Sequence, residues 1–123
     1  MLTLTAYGLA ILVNVFIIVV GVRFVVVPQA AAVGYGVPAK VDGDTAYLTI
    51  KGLRDASYGI VGLALLAFVG AQAEGWFMLV VALVPLGDTI IVLRYGGTKA
   101  VAFGIHFATA VIVLLDAALL LAI

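Results

Sequence analysis

The sequence predicts an all-α integral membrane protein, a single domain (1–123) folded as an antiparallel bundle of four transmembrane helices. Of its 123 residues, 67% are hydrophobic and only 10% are charged. A chain of this length cannot hide so much apolar surface in its own interior. Its apolar segments approach the roughly 20 residues that cross a bilayer. All six Lys and Arg residues fall at the same end of these segments, as expected if the segments cross in alternating directions.

Four spans are predicted, at about 4–27, 45–70, 75–93 and 99–122. The purely apolar part of the second span, 56–71, is too short to cross alone, so the span must draw charged residues down to the membrane interface. In the third span, Pro85 frees a backbone carbonyl and can kink the helix. The connections on either side of the third span are short, which makes the last three spans antiparallel neighbours.

The only long connection is 28–44. Gly34, Gly36 and Pro38 should break any long helix there, and Asp42-Gly43-Asp44 is typical of a turn that leads into the N-cap of the second span. Because this loop is semi-apolar, we expect it to lie across the membrane face as a lid.

The positive-inside rule predicts the orientation. The basic residues are Arg23, Lys40, Lys51, Arg54, Arg94 and Lys99. This end is therefore expected to be cytoplasmic, in a bacterial inner membrane, with both termini periplasmic. The segment 1–7 has no basic residue, so the first apolar run is expected to be a permanent span and not a signal peptide.

A layer of ionisable side chains is predicted just below the basic end. At a rise of about 1.5 Å per residue, Asp88 lies roughly 9 Å below Arg94, and His106 lies about 10 Å below Lys99. Asp55 lies at a similar level. Ionisable groups at membrane depth are costly and often functional, so Asp55, Asp88 and His106 are the candidate catalytic residues.

Helical phase supplies candidate ligand-binding residues around these three. Tyr47, Lys51, Arg54, Tyr58 and Gly62 share one face of the second span, and Thr109 lies on the same face of the fourth span as His106. The candidate ligand-binding residues are Arg23, Lys51, Arg54, Tyr58, Arg94 and Thr109.

Two interpretations of this layer remain open. In one, Asp55 or Asp88 exchanges protons, His106 is the second titrating group, and Arg54 tunes them. In the other, buried Arg–Asp pairs lock the helices together. Two carboxylates and one histidine do not supply the ligand set of a metal site, so no metal and no cofactor are expected.

The far half of the spans has fewer polar residues. Asn14 is expected to form an interhelical hydrogen bond, and Gly59 with Gly62 gives the second span a face for close helix contact. Glu74 is expected as a charge at the outer surface. Asp116 should hydrogen-bond Tyr7 or face the outer headgroups.

Charge and cysteine content exclude some classes of function. The formal net charge is zero, so no nucleic-acid partner is expected. There are no cysteines, which excludes disulfides, thiol catalysis and cysteine-based metal sites.

Several motifs occur in a recognisable order. They are PxxAxxGxGVP at 28–38, Tyr47-Leu48, KGxRD at 51–55, GD at 87–88, LRxGG at 93–97, and His106 followed by Thr109-Ala110. The chain resembles a family of small four-span bacterial and fungal membrane proteins described as a domain of unknown function. It is more loosely similar to DoxX-like and emopamil-binding four-helix proteins. The looser similarity implies a bundle whose cavity holds a lipophilic molecule.

Three functions are compatible with these patterns. The first is a protein that binds or transforms a lipophilic small molecule at a charged pocket near the cytoplasmic face, by proton transfer of the isomerase or cyclase type. The second is a small transporter working as a homodimer. Known exporters of this size need a carboxylate on the first span, where this chain has Asn14. The third is a non-catalytic membrane subunit. The expected partners are the bilayer, a lipophilic molecule and a second copy of the chain.

Overall fold

The computed structural model describes residues 1–40 and 43–123, and it contains helices but no strand within these ranges. The elements are α1 (Leu2–Val26), α2 (Pro28–Tyr35), α3 (Thr45–Phe68), α4 (Ala71–Val81), α5 (Leu83–Arg94), α6 (Lys99–Val101), a π-helical segment (Ala102–Phe107) and α7 (Ala108–Ala122). The predicted all-α class is confirmed.

In the described part of the chain, three helical stretches are long and apolar enough to cross a membrane. They are Leu2–Val26, Ala71–Arg94 and Lys99–Ala122, and they correspond to the first, third and fourth predicted spans. They indicate an integral membrane protein. The helix α3 has 24 residues, about the same length as these three stretches. It is less apolar because Lys51, Arg54 and Asp55 lie within it.

The distribution of side chains is that of a membrane protein. The buried face of α1 carries small or polar residues, including Ala6, Ala10 and Asn14, whereas large apolar side chains such as Leu4 and Leu12 are exposed. Between membrane helices, small residues allow close backbone contact, and large apolar residues can face lipid.

Close packing of α1 against α3 depends on glycine. A Cβ atom added at Gly59 would overlap the Asn14 carbonyl oxygen and Ile18, and one added at Gly62 would overlap the Asn14 side chain. The predicted small-residue face of the second span is confirmed at these two positions. It brings the backbone of α3 against the middle of α1.

Two predicted spans are irregular, and in the third the irregularity lies near the kink that Pro85 predicts. The third is interrupted at Ala82, which separates α4 from α5. Pro85 is the third residue of α5 and has no N–H to donate to the carbonyl of Val81, so the helical hydrogen-bond ladder is broken here. The fourth contains the π-helical segment 102–107, a geometry that is frequent at functional sites.

As expected, the described residues of the connection 28–44 contain no long helix; its first half forms the short helix α2. Pro28 occupies the first turn of α2, where its missing N–H costs nothing. The helix ends at Gly36, which adopts a positive φ of 98°. Asp44 does occupy the N-cap position of α3, but its side chain accepts a hydrogen bond from Lys40 N at 2.6 Å and does not cap the helix. The predicted turn at Asp42 lies outside the described residues.

Candidate functional site

A cavity of about 290 Å³ lies among the helices, lined from every described helical element except α6. Most of its lining side chains are apolar, including Phe16, Ile17, Met78 and Val84. The residues with polar side chains that line it are Asn14, Arg23, Tyr35, Asp55, Tyr58, Asp88, His106 and Thr109. The cavity is therefore amphipathic.

Tyr35, the last residue of α2, links two of the predicted site residues. Its hydroxyl donates a hydrogen bond to Asp88 Oδ2 on α5. Its backbone carbonyl lies 2.7 Å from His106 Nε2 in the π-helical segment. A carbonyl can only accept, so Nε2 of His106 carries the proton in this contact, and Nδ1 is the nitrogen left for other chemistry. The Tyr35 and His106 rings are also in contact, with centroids 4.2 Å apart and ring planes inclined at 56° to each other.

Lys51 ties Asp55 into the same group. Its Nζ lies 2.5 Å from Asp55 Oδ2, and it also lies 4.2 Å from the centroid of the Phe24 ring and 4.1 Å from that of Tyr35. Both rings present a face to the ammonium group, which stabilises the cation. We call Tyr35, Lys51, Asp55, Asp88 and His106 the Tyr35 cluster.

The environment of Tyr35 keeps its hydroxyl neutral. Burial, followed by the negative charge of Asp88, the hydrogen bond to it and the charge of Asp55, raises the pKa of Tyr35 above its ordinary value. The hydroxyl therefore remains a hydrogen-bond donor to Asp88 at physiological pH.

The structure brings together the three candidate catalytic residues, Asp55, Asp88 and His106, at one cavity. Asp55 and His106 are buried, and Asp88 is half-buried. The cavity also reaches three of the candidate ligand-binding residues, Arg23, Tyr58 and Thr109. The hydroxyl of Thr109 donates to the carbonyl of Ile105 at 2.6 Å.

The other basic candidates are arranged differently. Arg54 and Arg94 are exposed and do not line the cavity. Lys51, not Arg54, forms the ion pair with Asp55. This follows from helical geometry, since Lys51 and Asp55 are four residues apart on one face of α3.

Sequence reasoning missed Tyr35, the residue that connects the cluster. Tyr35 lies between Gly34 and Gly36, in a segment whose glycines indicate a loop, so this pattern gives no reason to place its side chain at the site. The available signal was that glycine at 36 permits the positive φ that ends a helix. A helix ending there places the preceding tyrosine where the chain turns back towards the spans.

A second group of buried polar side chains consists of Asn14, Glu74 and Asp116. Asn14 Nδ2 donates to Glu74 Oε1 at 2.7 Å, which confirms the interhelical hydrogen bond expected of Asn14. Glu74 and Asp116 are both 0% exposed. The expectation of Glu74 at the outer surface is wrong, because α4 begins at Ala71 and turns Glu74 inward. The expectation for Asp116 is also wrong, since it is buried and neither of its carboxyl oxygens has a hydrogen-bond partner among the described residues.

Comparison with known proteins identifies the family. Residues 14–120 match the family described as a domain of unknown function (DUF4267), and the chain belongs to this family. No curated protein and no solved structure matches the chain.

Proposed function

We propose that this DUF4267 protein crosses the membrane as a four-helix bundle, with α3 as the additional span, and that its cavity binds a lipophilic small molecule. The one-sided basic residues support a cytoplasmic location for the end that carries the Tyr35 cluster, with both termini outside a bacterial inner membrane.

The observation that carries the proposal is the amphipathic cavity. Apolar side chains from α1, α4 and α5 line most of it, and the carboxylates of Asp55 and Asp88 and the imidazole of His106 reach it as well. Small-molecule sites are typically apolar with a few converging polar groups and have volumes from roughly 300 Å³ upward. At about 290 Å³, this cavity suits a compact molecule or one end of a longer one.

The polar groups suit proton transfer. Asp88 accepts a hydrogen bond from Tyr35 through Oδ2 and retains a second oxygen that can take a proton from a ligand. His106 holds Nε2 against the Tyr35 carbonyl, so Nδ1 can give or take a proton. Two such groups beside one apolar molecule can supply the base and the acid of an isomerase or a cyclase of the proton-transfer type.

Binding is tested by native mass spectrometry of the protein purified from its membrane, followed by organic extraction of any retained molecule. Val84 lines the cavity and is 39% exposed, so Val84→Phe adds bulk at the cavity wall; Val80→Phe makes the same change one turn earlier, at a 61% exposed position that does not line the cavity. We expect a lipophilic molecule to be retained by the wild type and by Val80→Phe, and to be lost from Val84→Phe. Equal retention by both variants, or none by the wild type, would contradict the proposal.

Proton transfer is tested by incubating the loaded protein in D₂O. We expect the retained molecule to gain deuterium on carbon in the wild type. Asp88→Asn keeps the shape of the side chain and an acceptor for Tyr35, but it cannot accept a proton, so the exchange should stop. Undiminished exchange in Asp88→Asn would exclude Asp88 as the base.

A structural role for the Tyr35 cluster is the second candidate, and the pairing of its members favours it. Asp55 is bonded to Lys51, and Asp88 to Tyr35. Such contacts also lock helices together. In that case Asp88→Asn lowers stability in a melting assay, and no retained molecule is found in the wild type.

A further inference from the structure

The acid pair, Glu74 on α4 and Asp116 on α7, is separate from the Tyr35 cluster. The two helices meet closely here, because a Cβ atom added at Gly75 would contact Leu120 and Leu121 at 2.9–3.2 Å. Met78 and Leu120, each one turn beyond an acid, belong to the buried apolar core. Both carboxyl groups are fully buried in this region.

Among the described residues, only one of the four carboxyl oxygens of the acid pair, Oε1 of Glu74, has a hydrogen-bond partner. The amide of Asn14 donates to Glu74 Oε1 at 2.7 Å and to the Ala10 carbonyl at 2.9 Å, which uses both of its N–H groups. Glu74 Oε2 and both oxygens of Asp116 have no partner within the described ranges. Asp116 is therefore an unpartnered buried side chain beside a hydrogen-bonded Glu74–Asn14 pair.

No basic residue compensates the pair. In the described part of the chain, Glu74 and Asp116 have no ion-pair partner, since the salt bridge found there joins Lys51 to Asp55. The packed helices α1 and α3 bring Tyr7, Asn14, Gly62 and Leu66 to this region. The basic residues and Asp55 on these two helices lie at the opposite end, beside the Tyr35 cluster.

Magnitudes decide the charge state. Burying an ionised carboxylate costs several kcal/mol even after the protein relaxes, and two close carboxylates add repulsion. The position of Glu74 in the first turn of α4 returns only about 0.3–1 kcal/mol from the helix dipole. One hydrogen bond from Asn14 to a charged group contributes about 1.5–3 kcal/mol and acts on one acid only. Because these contributions are smaller than the cost of burying the charge, protonating one carboxylate, which neutralises it, is more favourable.

We propose that Glu74 and Asp116 form a buried proton-binding site that holds at least one proton at neutral pH, with Asn14 as its hydrogen-bond donor. The carboxylate takes the proton from hydronium, leaving water, and returns it to water as hydronium, so only O–H bonds form and break. A hard metal cation fits less well, because it needs about six oxygen ligands and the described residues offer no group of three acidic or histidine ligands here.

The site and the cavity share a side chain. Asn14 lines the cavity as well as binding Glu74. A molecule in the cavity that moves the Asn14 amide changes the proton affinity of Glu74. By linkage, protonation then changes the affinity for that molecule to the same extent.

Infrared spectroscopy of the full chain tests the site directly, because a protonated carboxyl group has a carbonyl stretch that an ionised carboxylate lacks. We expect this band in the wild type at neutral pH and its loss in the double variant Glu74→Gln/Asp116→Asn. Asp44→Asn, outside the spans, serves as the matched control and should keep the band. Absence of the band from the wild type, or its full persistence in the double variant, would overturn the proposal.

Thermal unfolding provides a second measurement that does not depend on the band. The amides imitate protonated acids, so the double variant should fold and melt no lower than the wild type. Raising the pH should lower the melting temperature of the wild type, because the folded protein holds a proton that the unfolded chain has released, so unfolding releases a proton. The double variant should lose this sensitivity. If NaCl, but not choline chloride, stabilises only the wild type, the site binds a metal ion and the proton assignment is wrong.

Discussion

The Tyr35 cluster and the acid pair are both groups of ionisable side chains between helices, and they solve the problem of buried charge differently. In the Tyr35 cluster each carboxylate has a partner: Lys51 for Asp55 and the Tyr35 hydroxyl for Asp88. In the acid pair, three of four oxygens have none among the described residues. One group is compensated by neighbouring side chains, and the other, in our proposal, by a bound proton.

The positions of the two groups explain this difference. The Tyr35 cluster lies where α1 ends and α3 begins, so long basic side chains can reach it while remaining partly in water, as Lys51 does at 26% exposure. The acid pair lies among the apolar core residues, and no Lys or Arg in the described part of the chain forms an ion pair with it. A small mobile cation is then the group best able to compensate it.

The largest expected effect comes from disturbing the donor of the acid pair. Gly62→Ala places a methyl group on the Asn14 side chain. Overpacking and the loss of the bond to Glu74 should together lower the free energy of unfolding by about 3 kcal/mol. Gly8→Ala is the matched control, since nothing lies near its added Cβ. Denaturation in mixed micelles measures both, and equal stabilities would show that the Asn14–Glu74 contact contributes little.

The next effect concerns the compensated group. Lys51→Met keeps the apolar contact with the Phe24 and Tyr35 rings but leaves Asp55 without its cation. We expect a loss of about 2 kcal/mol in the free energy of unfolding. Arg54→Met removes an exposed cation from the same helix and should stay within about 0.5 kcal/mol of the wild type. If the two variants were equally stable, the Lys51–Asp55 pair would not stabilise the fold.

A smaller effect is expected from the hydrogen bond of Tyr35. Tyr35→Phe preserves the ring contacts with His106 and Phe24 and removes only the hydroxyl, which should cost about 1 kcal/mol. Tyr95→Phe, at an exposed position, is the control. A double-mutant cycle with Asp88→Asn should show that the two changes are not additive. Strict additivity would mean that the bond is absent in solution.

The smallest effect appears only in alkali. The pKa of Tyr35 is raised in the folded protein, from a reference value of 10.0, mainly by burial and Asp88. Its contribution to stability is therefore complete below pH 10.0 and is lost as the pH rises above that value, where the unfolded chain gives up its proton first. Melting temperatures measured on both sides of pH 10.0 should fall less steeply for Tyr35→Phe than for Tyr95→Phe. Parallel curves would place Tyr35 in water.

Much of the candidate site could be predicted because depth in a helix follows directly from residue number. Asp55, Asp88 and His106 were grouped by rise and phase, and they line one cavity. Spacing also predicted a partner for Asp55, because Lys51 lies four residues before it on one face of α3. Spacing could not predict that the Phe24 and Tyr35 rings lie against the Lys51 ammonium group.

By itself, the sequence determined the all-helical class, the membrane-capable helices at 4–27, 75–93 and 99–122, and the polar layer at the basic end, because hydropathy and helical periodicity are local properties. The tertiary structure alone decided that Tyr35 joins this layer, that Glu74 faces Asn14 inside the protein and that Asp116 is buried. Tyr35 is 53 residues from Asp88 and 71 residues from His106 along the chain, and Asn14 is 60 residues from Glu74. Helix rotation and packing set such contacts, and no local pattern encodes them.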